Sequence, residues 1–343
     1  MEITPVAQHN RQNNRDIYFN EGQQQNAPDL ELPSENKGYK KNPFIEANTK
    51  SVSLSHLKED CVIPVFSKDN EITISHSQFI ESAMASVANV LGTNLSKPEI
   101  RISHQIKGRT PDALQLPISE LQDHQKTTYY ERMAWIARVP SITSNIGGNE
   151  LELTIGGVRA YNQENLYSKK SPEKFKFFIG FQNMVCCNLC ISTDGFSSEM
   201  KADSVEVLNN NIIELVEGYN IDKQLTYMTK FEKQRMSESQ FAKLIGRAKL
   251  FQYLPKAEKA KLPELLLTDS HFNTIAKDFY EDESFCRNKD GDISMWNVYN
   301  LFTGANKSSY IDTFLERNEN AFTFAEGLSK AIEGDSNYSW FLS

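Results

Sequence analysis

The hydrophobic period of this chain changes near residue 203, and that change constrains the fold more than any other feature. Upstream, apolar residues recur at every second position. In LELTIGG, Leu151, Leu153 and Ile155 alternate with polar neighbours, the pattern of a half-buried strand. EIRISH and RMAWIARVP read the same way, and Gly147-Gly148-Asn149 supplies a turn. Downstream the spacing becomes three to four. DSVEVLNNNIIELVEGYN, IDKQLTYMTKFEKQRM and SESQFAKLIGRAKLFQYLP all read as helices. The third opens on Ser237 with Gln240 three residues on, a capping box, and Pro255 stops it. Further helices are expected at HFNTIAKDFY, SMWNVYNLFTG and around NAFTFAEGLSKAIEG, with one early helix at SQFIESAMASVANVLG. The expected fold is α+β: a largely antiparallel sheet in the first half and a helical C-terminal half.

Three regions follow. Residues 1–50 are rich in Asn and Gln, with few large aliphatics and prolines at 5, 28, 33 and 43. Such a leader buries too little apolar surface to offset its ordering entropy and is expected to be disordered. Residues 51–202 form the sheet region and 203–343 the helical region, the two expected to pack as one unit. Order is expected to begin near Cys61, with CVIPVF and EITIS as short strands around a turn at SKDN.

Of the 343 residues, 39% are hydrophobic, enough for a substantial core. The formal net charge of −8 argues against a protein that coats nucleic acid or anionic membrane indiscriminately. MEITPVAQHN has no apolar h-region, and no stretch reaches the ~18 apolar residues of a membrane helix. The five cysteines are expected to be free thiols in a reducing cytoplasm.

Three of those cysteines crowd into FKFFIGFQNMVCCNLCISTDG. Read with period two, Phe175, Phe177, Ile179, Phe181, Val185, Cys187, Leu189 and Ile191 share one face, with a bend or break expected between Gly180 and Asn183. Cys187 and Cys190 then point to opposite faces. Cys186 and Cys190 stand ~13 Å apart along a strand, too far for a disulfide or one zinc ion. Small buried hydrophobes are the favoured reading, with no metal and no cofactor. NKDGDI fails as a calcium loop, because Cys286 and Asn297 would occupy positions one and twelve; Asp290-Gly291 reads as a turn. ENLY at 164–167 is native mid-chain sequence. Ile155-Gly156-Gly157 lacks a dinucleotide fingerprint, and no P-loop, HExxH or GxSxG is present.

One charge feature stands out. Residues 223–261 hold ten Lys/Arg against three Glu, whereas 264–343 hold six basic and fourteen acidic residues. On the helix SESQFAKLIGRAKLF, Phe241, Leu244, Ile245 and Ala248 make the apolar stripe. Lys243 and Arg247 lie opposite, with Lys249 at their flank. These three are the candidate nucleic-acid contacts, with Tyr227, Phe231 or Tyr253 available for stacking. The competing reading pairs this face with the acidic C-terminal helices.

GGVRAYNQENLYSKK, FIGFQNMVCCNLCISTDG, QFAKLIGRAKLFQYLP and NLFTGANKSSYID together resemble a family of uncharacterised proteins of Bacteroides-type bacteria, a domain of unknown function. The chain is also distantly similar to a phage/plasmid-like family of unknown function. The resemblance runs from about residue 50 to the end. It implies cytoplasmic expression and carriage on mobile elements, and brings no catalytic residue or cofactor. The leading expectation is an accessory protein that binds nucleic acid or a protein partner. The alternative is an enzyme with a polar pocket near the strand ends, where Arg159, Tyr161, Asn162 and Asn183 lie.

Overall fold

The computed structural model describes residues 43–62, 73–163, 172–334 and 337–343. Most of the leader, most of the two strands expected around SKDN and the ENLY stretch lie outside the described residues; the described ends of those two strands, residues 61–62 and 73–75, are not in strands, and Ser75 caps a helix. The fold is α+β, with a curled antiparallel sheet in the first half and helices in the second. Its strands are β1 (Lys50–Val52), β2 (Glu99–Arg109), β3 (Lys126–Ile146), β4 (Asn149–Ala160), β5 (Glu173–Asn183), β6 (Leu189–Cys190) and β7 (Phe196–Ala202). They run in the order β1-β2-β3-β4-β5-β6, and β7 also pairs with β5. The β3–β4 hairpin closes at Gly147 and Gly148, with φ of +57° and +81°, a backbone that glycine adopts without strain. β3 carries a bulge between Val139 and Thr143 at Pro140, which has no N–H for a ladder.

Helices α1 (Leu54–Glu59) and α2 (His76–Leu91) belong to the first half. The second half holds α3 (Val205–Gly218), α4 (Ile221–Lys233), α5 (Glu238–Tyr253), α6 (Lys256–Lys259), α7 (Asp269–Glu281), α8 (Met295–Asn306) and α9 (Ile311–Ile332). A short ladder of β8 (Arg235–Met236) and β9 (Ile293–Ser294) joins the starts of α5 and α8. No described helix is long and apolar enough to cross a membrane. Ordered structure begins before Cys61. Phe44 and Ile45 are buried, and the N–H groups of Glu46 and Ala47 donate to the Lys307 carbonyl at 2.9 and 3.2 Å.

The alternation of the strands decides where the cores sit. Met133, Trp135, Leu153, Ile155, Phe175 and Phe177 face the main core, where they meet α2, α3, α4 and α8. Ala134, Ile136, Val158 and Phe178 face a second, smaller core with Phe44, Ile45, Ile311, Phe314 and Leu315. The first turns of α9 therefore cover the back of the sheet, while Phe322, Phe324 and Leu328 further along the same helix enter the main core. On the main face α2 comes close because β4 has glycine opposite it. A Cβ on Gly157 would lie 2.5 Å from the Phe79 ring. That ring sits 4.9 Å from Phe175 and edge-on to Trp135 at 5.8 Å.

The bend or break expected between Gly180 and Asn183 falls at Asn183 and is a full reversal of the chain. β5 stops at Asn183, whose carboxamide oxygen accepts from the Val185 N–H at 3.0 Å. Its backbone N–H donates to Asn188 O and its carbonyl accepts from Cys187 N. This Asx-type turn reverses the chain, with Cys187 in the left-handed region at φ +61°. β6 then pairs back on β5, Phe181 opposite Cys190. Parity flips at the turn: Cys190 joins Phe181 in the main core, whereas Leu189 and Ile191 join the second core. Val185, expected on the apolar face, is exposed at the turn. The expected 13 Å separation of Cys186 and Cys190 rested on an unbroken strand, and the hairpin removes that premise. The five cysteines are free. Burial pushes the Cys186 thiol up to about 12, and the Cys190 thiol is raised well above its usual range by burial and then by Cys186.

Candidate functional site

The helix that carries the candidate contacts forms as its sequence dictates. Ser237 Oγ accepts from Gln240 N, Gln240 Oε1 accepts from Ser237 N, and the box closes the first turn of α5. Phe241, Leu244, Ala248 and Phe251 are buried, and Ile245 packs partly buried against them. The three basic residues do not share one free surface. Arg247 Nε donates to Ser343 O at 3.1 Å, and its guanidinium lies 4.9 Å over the Trp340 ring. Lys249 donates to Asn273 and faces Asp269 at 3.7 Å, both on α7. Lys243 is exposed and forms no ion pair among the described residues.

Part of the rest of the basic segment is tied to neighbouring elements. Lys230 pairs with Glu333 at 2.8 Å, and Arg287 reaches Glu238 at 3.1 Å. Each such exposed pair contributes less than about 1 kcal/mol, and among the described residues Lys230–Glu333 and Lys249–Asp269 are the two that join this segment's cations to the acidic C-terminal helices. Of the stacking candidates, Phe231 is buried and Tyr227 lies edge-on to Phe322. Tyr253 is 81% exposed and Leu250 59%. These two continue an outward stripe of α5 through Lys243 and Gly246, out of phase with the buried stripe. Exposed Lys256 follows, and Lys259 lies over the Phe251 ring at 4.6 Å. The stripe is visible in the sequence as Leu250 and Tyr253 at i, i+3.

The strand-end residues divide. Arg159 is fully buried and ion-paired to Glu173. Its guanidinium stands 4.6 Å over Tyr161 and 4.5 Å over Phe175. His76, the first residue of α2, stacks on Tyr161 at 4.5 Å, and the Glu173 carboxylate accepts from Ile74 N at 3.0 Å. Burial raises the Glu173 carboxyl, with Arg159 opposing. His76 Nε2 lies 2.8 Å from the Tyr130 carbonyl, so that nitrogen carries the proton. The cluster clamps the start of α2 to the strand ends. Asn162 is exposed beside it. Asn183 sits at the other end of β5, roughly 33 Å along the strand from Glu173, where its amide donates to Asn300 Oδ1.

The remaining polar networks tie elements together. His271 Nδ1 accepts from the Thr268 N–H at 2.9 Å, which leaves Nε2 protonated. Nε2 then donates to Ser309 Oγ at 3.1 Å, and that hydroxyl donates to Asn306 Oδ1 at 2.7 Å. The imidazole has no lone pair to take a proton from Ser309, so the pair is not a nucleophile and its base. On α1, His56 bridges Asp60 and the Tyr130 hydroxyl at 2.8 and 2.9 Å. Among the described residues no group of three or more His, Cys, Asp or Glu could hold a metal ion. At NKDGDI, Gly291 (φ +89°) donates to Asn288 O, completing the expected turn.

Together these features describe an α+β protein with a two-faced sheet, tied polar clusters and one exposed apolar stripe on α5. The chain belongs to the family described as "Domain of unknown function, B. Theta Gene description" (DUF3871), whose model matches residues 32–342. No curated protein matches the chain, and no solved structure does.

Proposed function

We propose that this protein acts by binding a partner polypeptide through the outward stripe of α5. The observation that carries the reading is the exposure of Leu250 and Tyr253, 59% and 81%, on a well-formed helix. A protruding leucine and tyrosine favour a protein surface, since aliphatic contact gains nothing from a sugar–phosphate chain. Lys243 and Lys256 flank the stripe without ion pairs among the described residues, so the partner is one that offers carboxylates around an apolar contact. Nucleic acid is the second reading. It has Lys243 free for phosphates, while Arg247 and Lys249 are engaged. A cytoplasmic accessory role on a mobile genetic element sits within this proposal.

The test is capture by immobilised full-length protein, wild type against Leu250→Asp with Tyr253→Ala. Both positions are exposed, so melting should shift by less than about 0.5 kcal/mol in stability. A partner retained by the wild type and released by the double variant is the expected result. Equal retention by both sinks the assignment. Binding of single-stranded or duplex nucleic acid that weakens steeply with salt would replace it with the second reading.

A further inference from the structure

A cleft of about 600 Å³ opens on the back of the sheet, between β4, β5 and β7 and the first turns of α9. That volume lies within the ~300–1,000 Å³ range of small-molecule sites. Its floor is apolar because strand alternation brings Val158 and Ala160 to this face, and Leu266 adds a wall. Charged groups surround that floor, and nearly all are consumed. Asp312 faces Arg132 at 3.7 Å. Glu316 pairs with Lys176, which also donates to the Asp312 carbonyl. Glu199 is shared by Lys174 and Lys201. Every lining carboxylate thus has a cation.

Arg317 is the exception. It lines the cleft yet forms no ion pair among the described residues. Its orientation is held from two sides. Nε donates to Leu266 O at 3.1 Å and Nη1 to Ser309 Oγ at 2.8 Å, and Ser309 is itself fixed by His271 and Asn306. Nη2 has no hydrogen bond among the described residues. Asp312 and Glu316 act on it only from beyond ion-pair distance, and a guanidinium held in one orientation, half-buried and without a paired carboxylate, is matched to a planar oxyanion. The lining itself holds three cations (Lys174, Lys176, Arg317) and three carboxylates (Glu199, Asp312, Glu316), and because Arg132 and Lys201 also bind those carboxylates from outside it, Arg317 is left with the uncommitted positive charge.

We infer that this cleft binds a small organic carboxylate, its acid group on Arg317 and its short apolar body over Val158, Ala160 and Leu266. The site is separate from the α5 stripe, and its test is independent of that reading. Hexanoate serves as the probe, against hexanamide, hexylamine and inorganic phosphate, with binding to the full chain followed by NMR and calorimetry at low salt. Hexanoate should bind at least about tenfold tighter than the neutral amide, as a charge-assisted pair requires. Arg317→Gln should remove that preference and leave the amide unchanged. Arg317 also ties Leu266 and Ser309, so a second variant guards against misfolding. Thr313→Trp, at an exposed lining position, should block hexanoate with melting unaltered. No hexanoate binding, a preference for hexylamine, or undiminished binding by either folded variant overturns the inference. Phosphate binding more tightly than hexanoate would overturn the carboxylate assignment.

Discussion

Lowering the pH should weaken this fold through His76, and the size of the effect follows from its surroundings. The ring is buried, stacked on Tyr161 and hydrogen-bonded through Nε2 to the Tyr130 carbonyl. Burial and then the nearby Arg159 guanidinium disfavour its cation and lower its pKa from 6.5 to about 3. Its place at the start of α2 adds the positive end of the helix dipole. The unfolded chain takes up a proton as the pH falls through 6.5, whereas the folded chain does not until near 3. Between those values the unfolded state binds more protons, so stability is full above 6.5 and falls as the pH falls. With the slope approaching 1.36 kcal/mol per pH unit below 6.5, the loss from pH 8 to 5 is about 2 kcal/mol from this residue. Urea unfolding of the wild type and His76→Gln, followed by circular dichroism across this range, measures it. Glutamine keeps a donor for the Tyr130 carbonyl and cannot titrate. The variant should lose about 2 kcal/mol less than the wild type over the interval. Identical pH slopes would refute the reasoning, since other groups such as His271 contribute equally to both proteins.

Three further outcomes are expected. Gly157→Ala should destabilise by about 1–3 kcal/mol in urea unfolding, because the added Cβ would meet the Phe79 ring at 2.5 Å and the Lys176 carbonyl at 2.6 Å; an unchanged midpoint would show that α2 does not seat there. Cys190→Ser should cost roughly 1–3 kcal/mol by placing a hydroxyl in the main core, and Cys190 in the wild type should resist maleimide at pH 8 until the chain unfolds. Lys243→Glu with Arg247→Glu should lower the melting temperature, through loss of the Arg247 contacts with Ser343 and Trp340, and should leave nucleic-acid anisotropy flat.

Local chemistry made much of this fold legible in the sequence. The change of period near residue 203 separates sheet from helices, and the Ser237–Gln240 box and the Gly147-Gly148 turn mark element ends by mechanisms internal to a few residues. Where the signal is not local, the reading stopped short. α9 begins at Ile311, before the expected NAFTFAEGLSKAIEG, and its start carries no capping signal, since Tyr310 makes no side-chain cap. A break between Gly180 and Asn183 is expected from the length of the run, but that β6 pairs back on β5 is hidden because the alternation of FKFFIGFQNMVCCNLCI hardly falters across the turn. Only the Asn183 side chain marks the turn, and an isolated Asn is a weak signal. Pairing of Arg159 with Glu173 and of Arg247 with the C-terminal residues is set by tertiary packing, which no spacing rule conveys. The charge asymmetry between residues 223–261 and 264–343 did foreshadow intramolecular pairing, and Lys230–Glu333 and Lys249–Asp269 realise it.

The most direct test of the binding account is site-specific photocrosslinking inside the native host. A photoreactive residue replaces Tyr253 in one version of the full chain and Ile118, also exposed but in the sheet half, in another. The account predicts a discrete protein adduct from position 253 that vanishes when Leu250→Asp is added and does not form from position 118. An adduct with nucleic acid, an adduct indifferent to Leu250→Asp, or none specific to position 253 would contradict it.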